Sequence, residues 1–186
     1  MSIWHTKQAV RALDQGGVIA YPTEAIWGLG CNPWDRAAVM HLLKLKQRPV
    51  DKGLILIAGD ISQLGDLLLG LSESERLLLS QPRSVPTTWI IPDRMRVIPT
   101  WVKGLHSDVA VRVSTHLGVK QLCHYYDGML VSTSANISSQ PPARTQREVR
   151  AAFGRSLNYL LPGPLGGSNR PSEIRLLKTG AVLRSG

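Results

Sequence analysis

Residues 44–57, KLKQRPVDKGLILI, place the cations Lys44, Lys46, Arg48 and Lys52 just ahead of an apolar run and set a proline among them. Pro49 has no N–H to give a helix and disfavours the α region at Arg48, so a helix reaching Lys46 is predicted to stop there and the chain to continue extended. In extended backbone, residues two apart share a face, so Lys46 and Arg48 are expected to address one target. Paired ammonium and guanidinium groups beside a strand suit a phosphate or a carboxylate, whereas Lys44 suits the helix dipole. The run 54–58 then reads as a strand entering the core. Helix, basic turn and buried strand in succession place the chain in the α/β class.

Upstream, residues 6–15 carry Ala9, Val10, Ala12 and Leu13 on a helical period and end at Gly16-Gly17. The N-terminal stretch MSIWHTKQAVRALDQGG thus reads as an amphipathic helix and not as an export signal. Residues 18–21 form a short apolar strand, and TEAIWGLG (23–30) lies beyond its carboxyl end, where open α/β sheets bind ligands. Asp35 is expected to cap a helix over 36–46 that turns Val39, Met40, Leu42 and Leu43 inward.

Downstream, a leucine-rich region (61–79) is expected to be core, with Ser72 and Glu75 at capping-box spacing. Strands are predicted over 87–91, 108–113 and 129–133, with a basic connection over 94–103 and a helix over 116–125. Thr145 and Glu148 form a second capping box opening a helix to Phe153. The tail is rich in glycine and proline over 162–171, then strand-like at 173–177 and 181–184 around a turn at Thr179-Gly180. The expected architecture is one domain over 1–186, a twisted open mixed sheet flanked by helices.

The chain of 186 residues has a formal net charge of +9, which implies an anionic partner. Aromatic residues make up only 5% of it, which argues against a base-stacking single-strand binder and favours structured RNA followed through its phosphates. No apolar run approaches the roughly 20 residues of a membrane-spanning helix, so a cytoplasmic protein is expected. Cys31 and Cys123 are too few for a disulfide framework and form no C-x-x-C pair. Both are expected to be reduced and buried.

Three strand ends carry small polar groups: Tyr21-Pro22-Thr23, Ser132-Thr133-Ser134-Ala135-Asn136 and Pro171-Ser172-Glu173. With Lys46, Arg48, Arg112 and Arg184 they describe a pocket of hydroxyl and guanidinium donors suited to a polyanion. The chain has no G-x-x-x-x-G-K-[ST] loop, no G-x-G-x-x-G fingerprint and no G-x-S-x-G elbow. A bound nucleotide would therefore be held by side chains.

YPTEAIWGLGCNPWD (21–35), KQRPVDKGLILIA (46–58), VAVRV (109–113), STSANIS (132–138) and NRPSEIR (169–175) together resemble the bacterial YrdC/TsaC family of threonylcarbamoyl-AMP synthases. The resemblance runs in order through nearly the whole chain. It implies a YrdC-like fold with a positively charged concavity and an enzyme that condenses L-threonine, bicarbonate and ATP with release of pyrophosphate. That reaction is the first step towards N6-threonylcarbamoyladenosine at position 37 of tRNA. It further implies tRNA or structured RNA and a downstream threonylcarbamoyl-transferase complex as partners. Mg²⁺ would bridge phosphate oxygens, and because the sequence shows no carboxylate cluster it is expected to arrive with ATP, with no metal site built by the protein.

By the same resemblance Lys46, Arg48, Ser134 and Asn136 are the catalytic candidates. Lys46, Arg48, Asn136, Thr145 and Arg184 are candidates for ATP, and Thr23, Arg112, Ser134 and Ser172 for threonine. Two places depart from the family pattern. Arg83-Ser84-Val85-Pro86-Thr87-Thr88 replaces a proline-glycine turn, and Ser139 stands where a glycine is usual, so a positive φ there would cost about 1 kcal/mol or more. Two other readings remain: a non-catalytic tRNA- or rRNA-binding factor of the same fold, and a carbamoyl-adenylate module like that of hydrogenase maturation proteins.

Overall fold

The computed structural model describes residues 2–81 and 83–186, so Met1 of the N-terminal stretch lies outside the description. Helix α1 (Ile3–Asp14) starts earlier than the expected Thr6 and buries Thr6, Ala9, Ala12 and Leu13. Strand β1 (Ile19–Pro22) follows the glycine stop, and β2 (Trp27–Gly30) returns antiparallel beside it with Pro22 opposite Trp27. The sequence pattern did not predict β2, because Gly28 and Gly30 interrupt its apolar alternation. Gly30 is required by close approach: a Cβ there would lie 2.5 Å from the Val131 carbonyl oxygen and 2.8 Å from the Tyr21 ring.

Helix α2 (Arg36–Leu45) begins at the predicted cap, where Asp35 Oδ1 accepts the Ala38 N–H at 3.1 Å. Its buried stripe is Ala38, Val39, Leu42 and Leu43; Met40, expected in the core, lies off that stripe and is 42% exposed. The helix does stop before Pro49, but not by passing straight into extended chain. Lys46 remains helical at φ −83, ψ −8, and Gln47 takes φ 50. The Gln47 N–H bonds to the Lys44 carbonyl and the Arg48 N–H to the Leu43 carbonyl, both at 3.0 Å, the paired bonds of a Schellman reversal. Lys46 and Arg48 are thus neighbours through a left-handed turn, which corrects the expectation of alternate positions along an extended segment.

After a 3₁₀ turn (Val50–Lys52), β3 (Ile55–Ala58) enters the sheet. The leucine-rich region folds as 3₁₀ turns (Ile61–Gly70) and helix α3 (Glu73–Ser80), which opens with the expected reciprocal cap between Ser72 and Glu75. Its leucines divide: Leu64, Leu67, Leu71 and Leu79 are buried, whereas Leu69 and Leu77 are 64% and 60% exposed, against the expectation of a uniform core. The chain continues through β4 (Thr87–Pro92), α4 (Thr100–Lys103), β5 (Asp108–Val113), α5 (Leu117–Tyr126), β6 (Leu130–Ser134) and α6 (Gln146–Phe153). It ends with β7 (Tyr159–Leu160), β8 (Glu173–Leu176) and β9 (Val182–Arg184).

The strands form one mixed sheet in the order β7-β1-β2-β6-β3-β5-β4-β8-β9. Its parallel pairs are β7 with β1, β3 with β5 and β4 with β8; the remaining neighbours are antiparallel. Side chains alternate between faces as strand geometry demands. Ile19, Tyr21, Ile57 and Leu130 meet Ala9 and Leu13 of α1 and Val119 and Leu122 of α5. Ala20, Leu56, Ala58 and Val131 face the other way, into the larger core with Leu42, Leu64 and Val149. Helices therefore cover both faces, and the polar strand ends are left to meet at the sheet's rim. Cys31 and Cys123 are free, fully buried thiols in these two cores, and burial pushes the Cys123 thiol up to about 12.

Candidate functional site

The turn between β1 and β2, the segment leading into β3, the middle of β5, the end of β6 and the approach to β8 surround a cavity of about 630 Å³. Thr23, Arg48, Arg112, Ser134, Ser172 and Arg184 line it, so six of the candidates share one wall system. Lys46, Asn136 and Thr145 are not among the lining residues.

Lys46 takes a different position from the one its charge suggested. It is 2% exposed, and its Nζ donates to the Ser134 carbonyl, to the Asn136 carbonyl at 2.7 Å and to Asn136 Oδ1 at 3.3 Å. Asn136 Nδ2 in turn donates to the Ile137 and Gln140 carbonyls at 2.9 and 2.7 Å, and the Ser138 N–H bonds to the Lys46 carbonyl at 2.8 Å. The Ser134 hydroxyl donates to Asn136 Oδ1. These bonds knot the end of α2 to the end of β6, so Lys46 fixes where the Ser134 hydroxyl stands. Burial and the nearby Arg48 charge pull Lys46 down to about 8, and three oxygens face its three ammonium protons. Ser139 follows in this loop at φ 69, the positive value expected.

Arg48 lines the cavity while Nη2 donates to the Gly53 carbonyl at 2.8 Å and, more weakly, to that of Lys52 at 3.4 Å. Its Nε is buried without a hydrogen-bond partner, and burial lowers its pKa. The turn it braces packs against α4 through two glycines at positive φ. A Cβ on Gly104 would lie 2.4 Å from the Asp51 carbonyl oxygen, and one on Gly53 would lie 2.7 Å from that of Lys103.

Thr23 is 3% exposed, and its hydroxyl donates to the Ile26 carbonyl at 2.7 Å, leaving it free to accept. Ser172 shares a hydrogen bond with Thr88 at 2.9 Å, and Arg184 Nη2 donates to the Ser172 carbonyl at 2.8 Å. Thr145 caps α6: its Oγ1 accepts the Glu148 N–H at 3.2 Å, and Glu148 Oε2 accepts the Thr145 N–H at 3.0 Å. The reciprocal cap is the one the sequence predicted, and it accounts for Thr145 without a ligand.

Glu24 was not singled out by the sequence reading, although an acid beside Thr23 at a strand end was visible there. Its Oε1 accepts the Ser114 hydroxyl at 2.5 Å, and its Oε2 lies 3.7 Å from Arg112 Nη2. Burial pushes the Glu24 carboxyl up, but the Arg112 charge and the Ser114 hydroxyl pull it further down, so it stays below the usual carboxylate range. Arg83, in the loop that departs from the family pattern, stands 3.5 Å from Glu173 Oε1 and its guanidinium lies 5.4 Å from the Trp89 ring centroid. It lines a smaller adjoining cavity of about 240 Å³ rather than the main one.

The sequence matches the Sua5_yciO_yrdC family model, described as telomere recombination, over residues 11–186. It is 52% identical to a threonylcarbamoyl-AMP synthase of Chromohalobacter salexigens, over 95% of this chain and 94% of that one. It is 49% identical to a protein of the same name from Stutzerimonas stutzeri, over 97% of both chains. The fold is similar to P. abyssi Sua5 solved with L-threonine, at a TM-score of 0.88 and 26% identity, covering 98% of this chain and 53% of that longer one. This chain therefore spans about half of that protein. E. coli YciO shares the fold at a TM-score of 0.81 and 22% identity, over 97% of this chain and 88% of its own.

Proposed function

The chain belongs to the Sua5/YciO/YrdC family, and on that premise we propose that it condenses L-threonine, bicarbonate and ATP into threonylcarbamoyl-AMP with release of pyrophosphate, the first step of N6-threonylcarbamoyladenosine formation on tRNA. The observation that carries this reading is the cavity in which three guanidinium groups, Arg48, Arg112 and Arg184, converge with the hydroxyls of Thr23, Ser134 and Ser172. Such a set accommodates a small hydroxy amino acid beside a polyphosphate.

Threonine's amine, once carboxylated by bicarbonate with loss of water, presents a carbamate oxygen to the α-phosphate of ATP, and pyrophosphate leaves. Negative charge grows on the transferring phosphoryl group and on the departing pyrophosphate, so catalysis rests on positioning and on fixed positive charge. Arg48 and Arg184 supply that charge from the cavity wall. Lys46 serves from behind, holding Ser134 and Asn136 in register. Arg112 suits the threonine carboxylate, because a guanidinium fork matches it in two bonds. Thr23, whose proton is committed to Ile26, can accept the threonine hydroxyl. Mg²⁺ enters this reading as part of the ATP substrate. Handing the product to a downstream transferase and contacts with tRNA belong to the same proposal.

Pyrophosphate release measured with ATP, bicarbonate and each of threonine, serine and valine tests it. Release that depends on both bicarbonate and threonine, with valine at least about 100-fold poorer for want of the hydroxyl, is expected. Release indifferent to the amino acid overturns the synthase reading, and no release at all overturns it in favour of the non-catalytic RNA-binding one.

A further inference from the structure

The corner of the cavity between the β1–β2 turn and β5 holds two opposite charges that stand close without joining. Glu24 Oε2 and Arg112 Nη2 are 3.7 Å apart, beyond the roughly 2.7–2.9 Å of a charge-assisted hydrogen bond. Ser114 occupies the other carboxylate oxygen. Among the described residues Glu24 Oε2 and Arg112 Nε, each buried, have no hydrogen-bond partner, on side chains only 9% and 12% exposed. A buried polar group without a partner costs about 1–3 kcal/mol, so a pair of them on residues that line one cavity calls for an explanation. Both residues line the main cavity and also the smaller adjoining one.

We propose that Glu24 and Arg112 form a clamp for the zwitterion of an α-amino acid, in which Arg112 takes the carboxylate and Glu24 Oε2 accepts an N–H of the α-amino group. This rests on the synthase reading and deepens it by naming the residue that selects for a free amine. An α-amino acid carries its two opposite charges on groups attached to one carbon, so it needs an acceptor and a donor that are adjacent yet still unengaged. Were Glu24 there only to orient Arg112, the two would meet in a direct, preferably two-pronged, hydrogen-bonded pair; they stand instead 3.7 Å apart, an ion pair without a hydrogen bond.

The carboxylate is also held still. Ser114 sets its rotation, the Ser168 N–H bonds to the Glu24 carbonyl at 2.9 Å, and the Gly166 N–H bonds to the Thr23 carbonyl at 3.0 Å. A fixed acceptor loses little freedom when the ligand arrives. Because it remains ionised at neutral pH, it accepts an N–H from the ammonium group and from the neutral amine that must form before carboxylation.

Calorimetric titration of the full-length protein with L-threonine and with 3-hydroxybutyrate, which keeps the carboxylate and hydroxyl but lacks the amine, tests the clamp. The wild type is expected to bind threonine about 10- to 100-fold more tightly than 3-hydroxybutyrate, the factor for one hydrogen bond to a charged group. Glu24→Gln should lose that factor for threonine while 3-hydroxybutyrate binding changes by less than about twofold. Glu24→Asp, which keeps the charge on a shorter arm, should retain the preference for threonine and decides the matter if the Gln variant does not fold. Equal losses for both ligands in the Gln variant would assign Glu24 to orienting Arg112 and overturn the clamp, as would unchanged threonine binding. Threonine binding that survives in Glu24→Gln sinks the clamp alone; a wild type that binds no threonine sinks the synthase reading with it.

Discussion

Two polar clusters border the cavity, and they are finished to different degrees. At the Lys46–Ser134–Asn136 knot each side-chain group meets a partner within the chain: three acceptors surround Nζ and the Asn136 amide reaches two carbonyls. At the Glu24–Arg112 corner a carboxylate oxygen and a guanidinium N–H are buried with none. Lys46 stands at the end of α2, Glu24 just past β1 and Arg112 near the end of β5, so charge at an element's end does not by itself distinguish structure from function. The difference lies in completion: one cluster is saturated within the chain, and the other leaves two buried polar atoms without partners among the described residues.

The strongest way to break that contrast is Lys46→Met, which keeps the aliphatic stem and removes all three donors. It should cost about 3 kcal/mol in denaturant unfolding, because it strands buried acceptors. A loss of pyrophosphate release with no change in unfolding would instead move Lys46 from the knot to the chemistry. Arg112→Lys probes the opposite corner. Replacing the fork by a point charge should raise the KM for threonine about tenfold, roughly 1.4 kcal/mol, with little change in the unfolding midpoint; an unaltered KM would place the carboxylate elsewhere.

Acid sharpens the comparison further. The net downward shift at Glu24 means that its contribution to stability is complete above its unfolded pKa of about 4.3 and is lost as pH falls through the lower folded value. Glu24→Gln should flatten the acid limb of unfolding free energy against pH below about 4, and an unchanged limb would show that the carboxylate is not depressed in the folded state. The smallest effect is expected in the loop of the knot. Ser139 lies at φ 69, so Ser139→Gly should stabilise the protein by about 0.5–1 kcal/mol, less any gain in unfolded-state entropy. A destabilised variant would mean that the serine side chain contributes more than its backbone strain costs.

Local chemistry was legible in the sequence. Asp35 on Ala38, Ser72 with Glu75 and Thr145 with Glu148 cap helices as their spacing foretold, because donor and acceptor lie within a single turn. Most strands were legible for a similar reason, being short apolar runs between breakers. What lay hidden depended on distant parts of the chain. The oxygens that hold Lys46 lie 88 and 90 residues away, so no local pattern could show that its charge is turned inward. Strand β2 was obscured by its glycines, of which Gly30 is needed for a backbone approach from β6. The left-handed turn at Gln47 falls on a residue type with no preference for it. Six of the candidate residues do share the cavity, and the resemblance to a family supplied them more surely than spacing did. Glu24 escaped notice because an acid does not fit the polyanion site that the surrounding cations suggested.

Thr23 stands near one end of the chain and Arg184 near the other, yet the two face the same space. Ser172 and Arg184 reach it through β8 and β9, the last strands to join the sheet's far edge. One wall of the pocket thus comes from the final fifteen or so residues, whereas β1 through β6 take their places in the sheet as one another's neighbours. Catalytic competence should therefore vanish under C-terminal trimming well before circular dichroism registers any large loss of structure.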